Sequence, residues 1–348
     1  MAILSSSSNS RTAGILWSSD ESSPAEPPQS SPATRKSWTC TSAPMRQPQP
    51  TPTPMKETSM TDALLSILVS ALVLGSLYSL MASGLSLIWS TLGVFNYAHG
   101  ALLLLGAYFI WTFSEKVGLP VLLAFAAAVP LLALLGMLLD LVAVRPFISR
   151  PNGTLLVMVS TLAIANAVEG AAQLIWGPQN KQIKSVSTST FAMGDVKIAS
   201  STLIALGLAL VLVIGLIMLL RTTKWGMAVR AVEQNRDMAM LVGIRPARIY
   251  ASVFAVASIL ACAAAFVYGT TTTITPTKGF EPLLTAFVVL VFGGSATLWG
   301  TLVGAFTIGL LEAGTTYWLG LQWSPVAVFL VLVLIMLVRP QGLVKGRS

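Results

Sequence analysis

One short segment of the sequence, residues 93–100, contains two side chains that can both donate and accept hydrogen bonds. They are Asn96 and His99, and His99 is the single histidine of the chain. The segment lies in an apolar stretch, where polar groups cost free energy unless they are paired or face water. The two side chains could line a polar route, or Asn96 could cap the next helix while His99 packs against neighbours. Catalysis by His99 would need a nearby nucleophile or acid, which the segment lacks, so no catalytic residue is predicted.

A glycine-rich break and one carboxylate are the other candidates for a polar route. Gly293 and Gly294 interrupt an apolar stretch, and freed backbone groups at such a break can line a route. Glycines also let helices pack closely, which is the structural alternative. Glu169 lies deep in another apolar run, where a carboxylate must be protonated, paired or in a wet cavity. The candidate route residues are therefore Asn96, His99, Glu169, Gly293 and Gly294.

A polar segment near the middle of the chain has the spacing of an amphipathic helix. Apolar residues recur there at intervals of three and four: Ala228, Ala231 and Val232, then Met238, Leu241 and Val242. This pattern predicts a short helix with one apolar face, ending at Gly243 before Pro246. Such a helix could dock into a groove of another protein. It could also lie at the lipid headgroups with its arginines toward anionic lipid.

The composition shows what surrounds these candidates. The chain has 348 residues, 54% of them hydrophobic and only 10% charged. Soluble domains have roughly 25% charged residues, so a chain this poor in charge must be solvated largely by lipid. The net charge is +8, but the basic residues lie in short loops between apolar runs. That distribution indicates membrane topology and not nucleic-acid binding.

Residues 1–59 differ from the rest, since they are rich in Ser, Pro and Thr and contain no long apolar run. This composition is typical of a disordered tail and lacks the hydrophobic core of a secretory signal. An organellar transit peptide is an alternative. We favour a translation start at Met60, which directly precedes the first apolar run. Mass spectrometry of the mature N-terminus would test this interpretation.

Apolar runs near the 20 or so residues needed to cross a bilayer make up most of the chain after Met60. They are 62–83, 121–143, 154–175, 201–220, 250–268 and 324–338. Two further stretches are interrupted: 84–113 around Asn96, and 282–314 at Gly293. The sequence thus predicts an all-α polytopic integral membrane protein with about eight spans, two of them discontinuous.

Loop charge predicts orientation, because Lys and Arg collect on the cytoplasmic side of a membrane. The loops 144–153 and 221–248 and the C-terminal end are basic, whereas the loop 176–200 is rich in Ser and Thr and suits the outer side. If the N-terminus also lies inside, each interrupted stretch enters and leaves by the outer face as two half-helices. A span, a broken pair and a span would then occur at 62–143 and again at 250–338, which suggests an internal duplication.

Several catalytic and nucleotide-binding motifs are missing. The sequence has no G-x-x-x-x-G-K-[ST] phosphate loop, no H-E-x-x-H and no G-x-S-x-G. One histidine and two distant cysteines, Cys40 and Cys262, predict neither a disulfide framework nor a histidine- or cysteine-based metal site. We therefore expect a non-enzymatic chain without an ATP site, cofactor or metal of its own.

Four pieces of the sequence, in this order, resemble the branched-chain amino-acid ABC transporter permease family, and in particular its first permease type. They are 87–108 with its Asn-Tyr-Ala-His-Gly motif, 226–244, 293–312 and 339–343. The resemblance covers residues 60–345, which form the expected permease domain, and leaves the tail outside. It departs from the family pattern at Ala296, where a second glycine pair is usual.

The resemblance implies partners and a location. Two permease chains, as a homo- or heterodimer, would form a pathway across the bacterial inner membrane for branched-chain or related amino acids. Two cytoplasmic ATP-binding subunits would dock on one face and an extracytoplasmic binding protein would deliver the solute, with no role for nucleic acid. Within the cytoplasmic segment 221–248, the residues matching the ATPase-coupling position include Arg230, Glu233, Arg236, Met238, Leu241 and Gly243.

Other functions stay open at this level. A permease for urea or short amides belongs to the same class, and the sequence does not separate it. An ATP-independent secondary transporter or channel would favour buried ion pairs for ion coupling, and Glu169 has no evident cationic partner. An intramembrane enzyme is disfavoured by the single histidine and the missing nucleophile motifs. Neighbouring genes for ATPases, a second permease and a secreted binding protein would favour the importer.

Overall fold

The computed structural model describes residues 60–184, 190–193, 196–294 and 298–338. The tail, the basic C-terminal end and Ala296 lie outside these ranges, and what the sequence predicts for them stays a prediction. The regular secondary structure of the described residues is helical apart from one short antiparallel hairpin and one isolated β-bridge, which confirms the all-α fold class. The elements, numbered in chain order, are α1 Met60–Leu92, α2 Ala98–Trp111, α3 Val121–Leu139, α4 Arg145–Ile148, α5 Gly153–Trp176, β1 Thr190–Met193, β2 Val196–Ala199, α6 Ser200–Thr222, α7 Lys224–Gln234, α8 Arg236–Leu241, α9 Pro246–Thr271, α10 Phe280–Gly293, α11 Leu298–Leu319 and α12 Ser324–Val338.

Seven helical units in the described ranges are long and apolar enough to cross a membrane. Two of them combine elements: α3 continues through a π-helical turn into α4, and a 3-10 turn precedes α12. The units are α1, α3 with α4, α5, α6, α9, α11 and α12. α10 is equally apolar but has only 14 residues, too few to cross about 30 Å of hydrocarbon at 1.5 Å per residue. The polytopic membrane fold is therefore confirmed.

The first interrupted stretch is built differently from the sequence prediction. Residues 62–83 and 84–92 were expected to be separate helices, but α1 continues through both and has 33 residues, about 50 Å of helix. Gly84 does not end the helix, because one glycine inside a helix costs only about 1 kcal/mol relative to alanine. The break comes at Gly93, whose φ is +69°. The predicted duplication loses part of its basis. In the second stretch the leading span, α9, is separate from the broken pair α10 and α11, whereas in the first stretch the leading span and the first half-helix are one helix, α1.

The direction of α1 also differs from the conditional expectation that the N-terminus lies inside. α1 and α11 run antiparallel, because Gly309 packs against Gly75 while Ala313 packs against Ile67. At the other end of α1, Leu92 packs in the same cluster as Val232 of α7. Met60 therefore lies at the end of the bundle opposite to α7 and α8.

Charge identifies the two ends of the bundle. Among the described residues, the end that contains α7 and α8 has eight basic side chains: Arg145, Arg150, Arg221, Lys224, Arg230, Arg236, Arg245 and Arg248. By the distribution of Lys and Arg this is the cytoplasmic end, in agreement with the sequence prediction for the loops 144–153 and 221–248. The opposite, outer end contains the hairpin β1–β2 and the loop after α5.

α9 is the central helix of the bundle, and most of its residues from Val253 to Thr270 are buried. Small residues on α9 allow neighbouring helices to approach closely. A Cβ added at Gly106 of α2 would lie 2.9 Å from the Cβ of Ala265, and one at Gly136 of α3 would lie 2.6 Å from the Phe254 carbonyl oxygen. In lipid such close contact replaces the hydrophobic effect as the force that holds helices together.

An ion pair that the sequence reading missed connects α3–α4 to α9. The Arg145 Nε lies 2.7 Å from Asp140 Oδ2, and Arg145 also donates to the Ala247 carbonyl at 3.0 Å. Asp140 is fully buried while the Arg145 side chain is 36% exposed. The run 121–143 reads as almost free of charge, so the carboxylate gave no signal until its partner, five residues later, was placed beside it.

The outer end is held by contacts between the loop after α5 and its neighbours. Lys181 lies over the Trp111 ring at 4.2 Å and pairs with Ile274 through backbone hydrogen bonds. Trp176 stacks on Tyr108 at 4.9 Å. These contacts fix the outer ends of α2, α5 and α9 relative to one another.

Candidate functional site

The polar break between α1 and α2 is buried and only partly hydrogen-bonded, since Asn96 Nδ2 has no hydrogen-bond partner among the described residues. Asn96 Oδ1 accepts a hydrogen bond from the Ala98 N–H at 3.1 Å, and the Tyr97 N–H donates to Thr161 Oγ1 of α5 at 3.3 Å. Phe95 packs edge-on against Tyr97 and against Phe287 of α10. The break thus joins α2 to α5 and α10. The N-cap position of α2 is Tyr97, without a side-chain cap bond, so the Asn96 Oδ1 bond closes a turn at the break and is not the helix cap that the structural alternative predicts.

His99 lies in the interior and not on an open surface. It is 0% exposed, and its ring fills a notch at Gly84, where an added Cβ would be 3.0 Å from Cε1 and Nε2. The Ala257 carbonyl of α9 borders the same notch. In the described conformation Asn96 and His99 are packing groups of the junction between α1, α2 and α9, and a role in lining a route stays a prediction.

The notch at Gly84 predicts a stability effect. In Gly84→Ala, the new methyl group meets the His99 ring and the Ala257 carbonyl, and overpacking of this kind costs about 1–3 kcal/mol. Gly207→Ala on α6 is the matched control, because a Cβ there meets nothing within 4 Å. We expect a lower melting temperature of the detergent-solubilised protein for Gly84→Ala alone. Equal melting temperatures for both variants would contradict the tight notch.

The second break also brings backbones into close contact. Gly293, the last residue of α10, packs against the backbone of Gly300, and Gly294 turns the chain with φ +92°. A Cβ at Gly304 would lie 3.1 Å from the Val289 carbonyl oxygen. Gly293 and Gly294 are buried, so the described contacts favour close packing of α10 on α11. Their proposed place on a route stays a prediction.

Glu169 occupies a different environment from the two breaks. It lies on α5 and is partly exposed, and no described ion pair includes it. Asn166, one turn earlier, is exposed and donates its amide to the Leu162 carbonyl of the same helix. Among the five candidate route residues, Glu169 alone faces the outside of the described bundle.

The cytoplasmic segment forms two helices where one was predicted. Asn235 has an extended backbone, with φ −158° and ψ 109°, and ends α7. Its side-chain oxygen accepts from the Asp237 and Met238 N–H groups, each at 3.0 Å, and so starts α8. Asparagine competes for backbone hydrogen bonds in this way, which is why it favours helix starts over helix interiors.

α7 is fixed to the end of α6. Thr223 caps it by accepting from the Gly226 N–H at 3.1 Å, and Gly226 packs against the backbone of Leu220. Arg230 donates to the Leu220 carbonyl, and Trp225 Nε1 donates to Ser252 Oγ of α9 at 2.7 Å. The α7–α8 unit is therefore rigidly coupled to two membrane helices.

Five apolar side chains of this unit point away from the protein. We call them the α7–α8 patch: Met227 54% exposed, Met238 61%, Met240 47%, Leu241 80% and Val242 75%. The inward side is formed by Val229 and Val232, which are buried. Met238 and Leu241 are among the coupling residues predicted from the sequence. Met227 and Met240 are not, because one uninterrupted helix would place a different set of residues on its apolar face.

The remaining coupling candidates have mainly local contacts. The Arg236 guanidinium lies 5.8 Å from the centre of the Tyr250 ring. Gly243 ends α8 with φ +84°, a conformation that favours glycine. Burial raises the pKa of Glu233, and the charge of Arg230 offsets part of that rise. These contacts shape the unit, while the α7–α8 patch gives it a surface for a partner.

The fold and these sites define a multi-pass membrane protein with packed helical breaks and a cytoplasmic α7–α8 unit fixed to two membrane helices. Residues 67–338 match the family described as branched-chain amino acid transport system / permease component. The chain therefore belongs to this family, as the resemblance implied. It is a multi-pass protein of the plasma membrane, which in bacteria is the inner membrane.

Similar curated proteins cover most of the chain. The permease protein BraD of the high-affinity branched-chain amino acid transport system of Pseudomonas aeruginosa is 28% identical over 79% of this chain and 94% of its own length. LivH of Escherichia coli K12, a permease protein of the same kind of system, is 26% identical over 79% and 93%. The fructose import permease protein FruF of Bifidobacterium longum is 26% identical over 80% and 78%. Among solved structures, PsaBC from Streptococcus pneumoniae in complex with Fab aligns with a TM-score of 0.44 at 15% identity, over 80% of this chain and 92% of that chain.

Proposed function

We propose that the chain is the membrane-spanning permease subunit of an ATP-driven importer for branched-chain or related amino acids. The observation that carries this proposal is the family match over residues 67–338, supported by relatives named for branched-chain amino acid transport. One relative is named for fructose import. The identity of the solute is therefore the part of the proposal that the uptake experiment must measure.

ATP in this proposal is bound by separate subunits on the cytoplasmic face. The sequence contains no phosphate-binding loop, and the α7–α8 patch offers an apolar surface at that face. An amphipathic unit with exposed Met and Leu suits a groove on a partner protein. The rest of the proposed assembly is a second permease chain, identical or homologous, and an extracytoplasmic binding protein that delivers the solute.

The contacts of α7 suggest how motion would pass into the membrane. A displacement of the α7–α8 unit would act on α6 through Arg230 and Leu220, and on α9 through Trp225 and Ser252. ATP binding drives transport only if it favours one conformation of the pathway over another. The attachment of α7 to two membrane helices supports this proposed path of coupling.

The experiment is uptake of radiolabelled L-leucine by cells in which the gene for this chain is deleted. We expect uptake at micromolar leucine to be lost and to return when the intact gene is supplied. Parallel assays with urea and fructose identify the alternative solutes. Unchanged leucine uptake in the deletion strain, together with lost uptake of urea or fructose, would overturn the assignment of the solute.

A further inference from the structure

The exposed face of α5 differs from those of α3, α6 and α12. The large exposed side chains of α3, α6 and α12 within the membrane are apolar, as contact with lipid requires. α5 exposes Asn166 and Gln173, with Glu169 partly exposed between them. At 100° per residue these three positions lie within about 60° of one another on the helix. Asn166, Glu169 and Gln173 therefore form a single polar strip along one side of α5.

The depth of the strip follows from helix geometry. α5 has 24 residues, or about 36 Å, so Asn166 lies roughly 20 Å from its cytoplasmic end and near the middle of the membrane. The strip continues from there to the outer end. The cytoplasmic half of the same face is apolar and exposes Leu155 and Val159. An amide and a carboxylate at this depth are costly unless water or protein contacts them.

A second segment points to water at the same depth. The chain from 272 to 279 descends without regular helix from the outer end, where Ile274 pairs with Lys181, to Gly279, which packs against Gly100 near the start of α2. Thr277 and Lys278 are exposed on it. Irregular backbone inside a membrane is tolerated only where it is covered by protein or lines a water-filled cavity.

One packing cluster indicates which edge of α5 is nearest to α10. Glu169 is 11 residues after Met158 and so lies on the same edge of α5, three turns nearer the outer end. Met158 packs in the cluster that also contains Phe287 of α10, which identifies this edge as the one nearest α10. Glu169 therefore lies on the edge of α5 nearest α10.

We propose that the outer half of α5 lines an aqueous route from the outer face to the middle of the membrane, in which Glu169 binds the ammonium group of an amino-acid solute. The proposal rests on the proposed function. An unpaired carboxylate suits a transient cationic partner. The apolar Leu155 and Val159 below would close the route on the cytoplasmic side.

Thiol labelling in intact cells tests the route. Asn166→Cys and Val159→Cys are introduced singly into a background in which Cys40→Ser and Cys262→Ala remove the native thiols. We expect a membrane-impermeant methanethiosulfonate cation to modify Asn166→Cys and to leave Val159→Cys and the lipid-facing control Leu134→Cys unmodified. Protection of Asn166→Cys to the level of Leu134→Cys would show that lipid or a protein partner covers the strip, and would overturn the route.

Uptake by the complete transporter tests the role of Glu169. We expect Glu169→Gln to lower ATP-driven leucine uptake at least tenfold and Glu169→Asp to retain most of it. The control variant Glu115→Gln, at the outer end of the bundle, should leave leucine uptake unchanged. Labelling of Asn166→Cys should be the same with Glu169→Gln present, because the route itself is intact. Normal uptake by Glu169→Gln would overturn the ammonium site. Labelling without any leucine uptake in the unmodified complex would refute the proposed function and leave the aqueous route standing.

Discussion

Val242→Glu combined with Leu241→Glu is expected to release the chain from its ATP-binding subunits. These two side chains are the most exposed of the α7–α8 patch, at 80% for Leu241 and 75% for Val242. Full burial of each in a partner groove would contribute about 1.5–3 kcal/mol, and a buried unpaired carboxylate would add a further cost. We expect co-purification with the ATP-binding subunits to fall at least tenfold, measured by quantitative immunoblot after affinity isolation from detergent.

The control for this experiment is Val117→Glu, because Val117 is 62% exposed in the loop at the outer end. It should express normally and retain its ATP-binding subunits. Arg230 is a less suitable probe than the sequence suggested, since its guanidinium is bound to the Leu220 carbonyl and its reversal would disturb α6 itself. Full retention of the subunits by the double variant would show that the patch contacts lipid headgroups instead.

Asp140→Asn is expected to cause the largest loss of stability among single substitutions that keep side-chain volume. The carboxylate is fully buried and bonded to Arg145, which also holds the Ala247 carbonyl at the start of α9. Removing one partner of a buried pair leaves the other charge uncompensated and costs about 3–5 kcal/mol. Because the Arg145 side chain is 36% exposed, water compensates part of its charge. We therefore expect Asp140→Asn to lower the free energy of unfolding by about 2 kcal/mol.

The measurement is the melting temperature of the solubilised protein, which such a change should lower by about 4 to 8 °C. Glu115→Gln is the matched control, since it breaks the ion pair with Lys184, whose side chain is 78% exposed. Exposed pairs contribute about 0–1 kcal/mol, so the control should melt within about 4 °C of the unmodified protein, and its melting temperature should fall less than that of Asp140→Asn. An equal fall in both variants would show that the buried pair has no special role.

Apolar run length was the most informative feature of the sequence, because lipid requires continuous helices. Residues 121–143, 154–175, 201–220 and 250–268 all lie within described helices, and the basic loops marked the cytoplasmic end. The prediction of helix boundaries was wrong where a single residue type is compatible with two local structures. The sequence predicts a boundary at Gly84, whereas Gly84 lies inside α1 and provides space for His99, 15 residues further along the chain.

The candidate sites were less predictable for a related reason. Asn96 and His99 are polar residues in an apolar stretch whether they line a route or fill a core, and only the packing against α9 and α5 separates these roles. The outward side of the α7–α8 unit depended on the break at Asn235, which rotates Met238 relative to Val232. Spacing rules assume one uninterrupted helix, so they could not place Met227 and Met240 on the patch.

The most direct test of the central claim is solute uptake by the complete assembly in proteoliposomes. The purified chain, its permease partner and the ATP-binding subunits are reconstituted with ATP inside, and the binding protein is added outside with radiolabelled L-leucine. We expect accumulation above the external concentration with ATP and none with ADP, and competition by isoleucine and valine. Leucine equilibration at the same rate with either nucleotide would contradict an ATP-driven permease and identify a channel or secondary transporter.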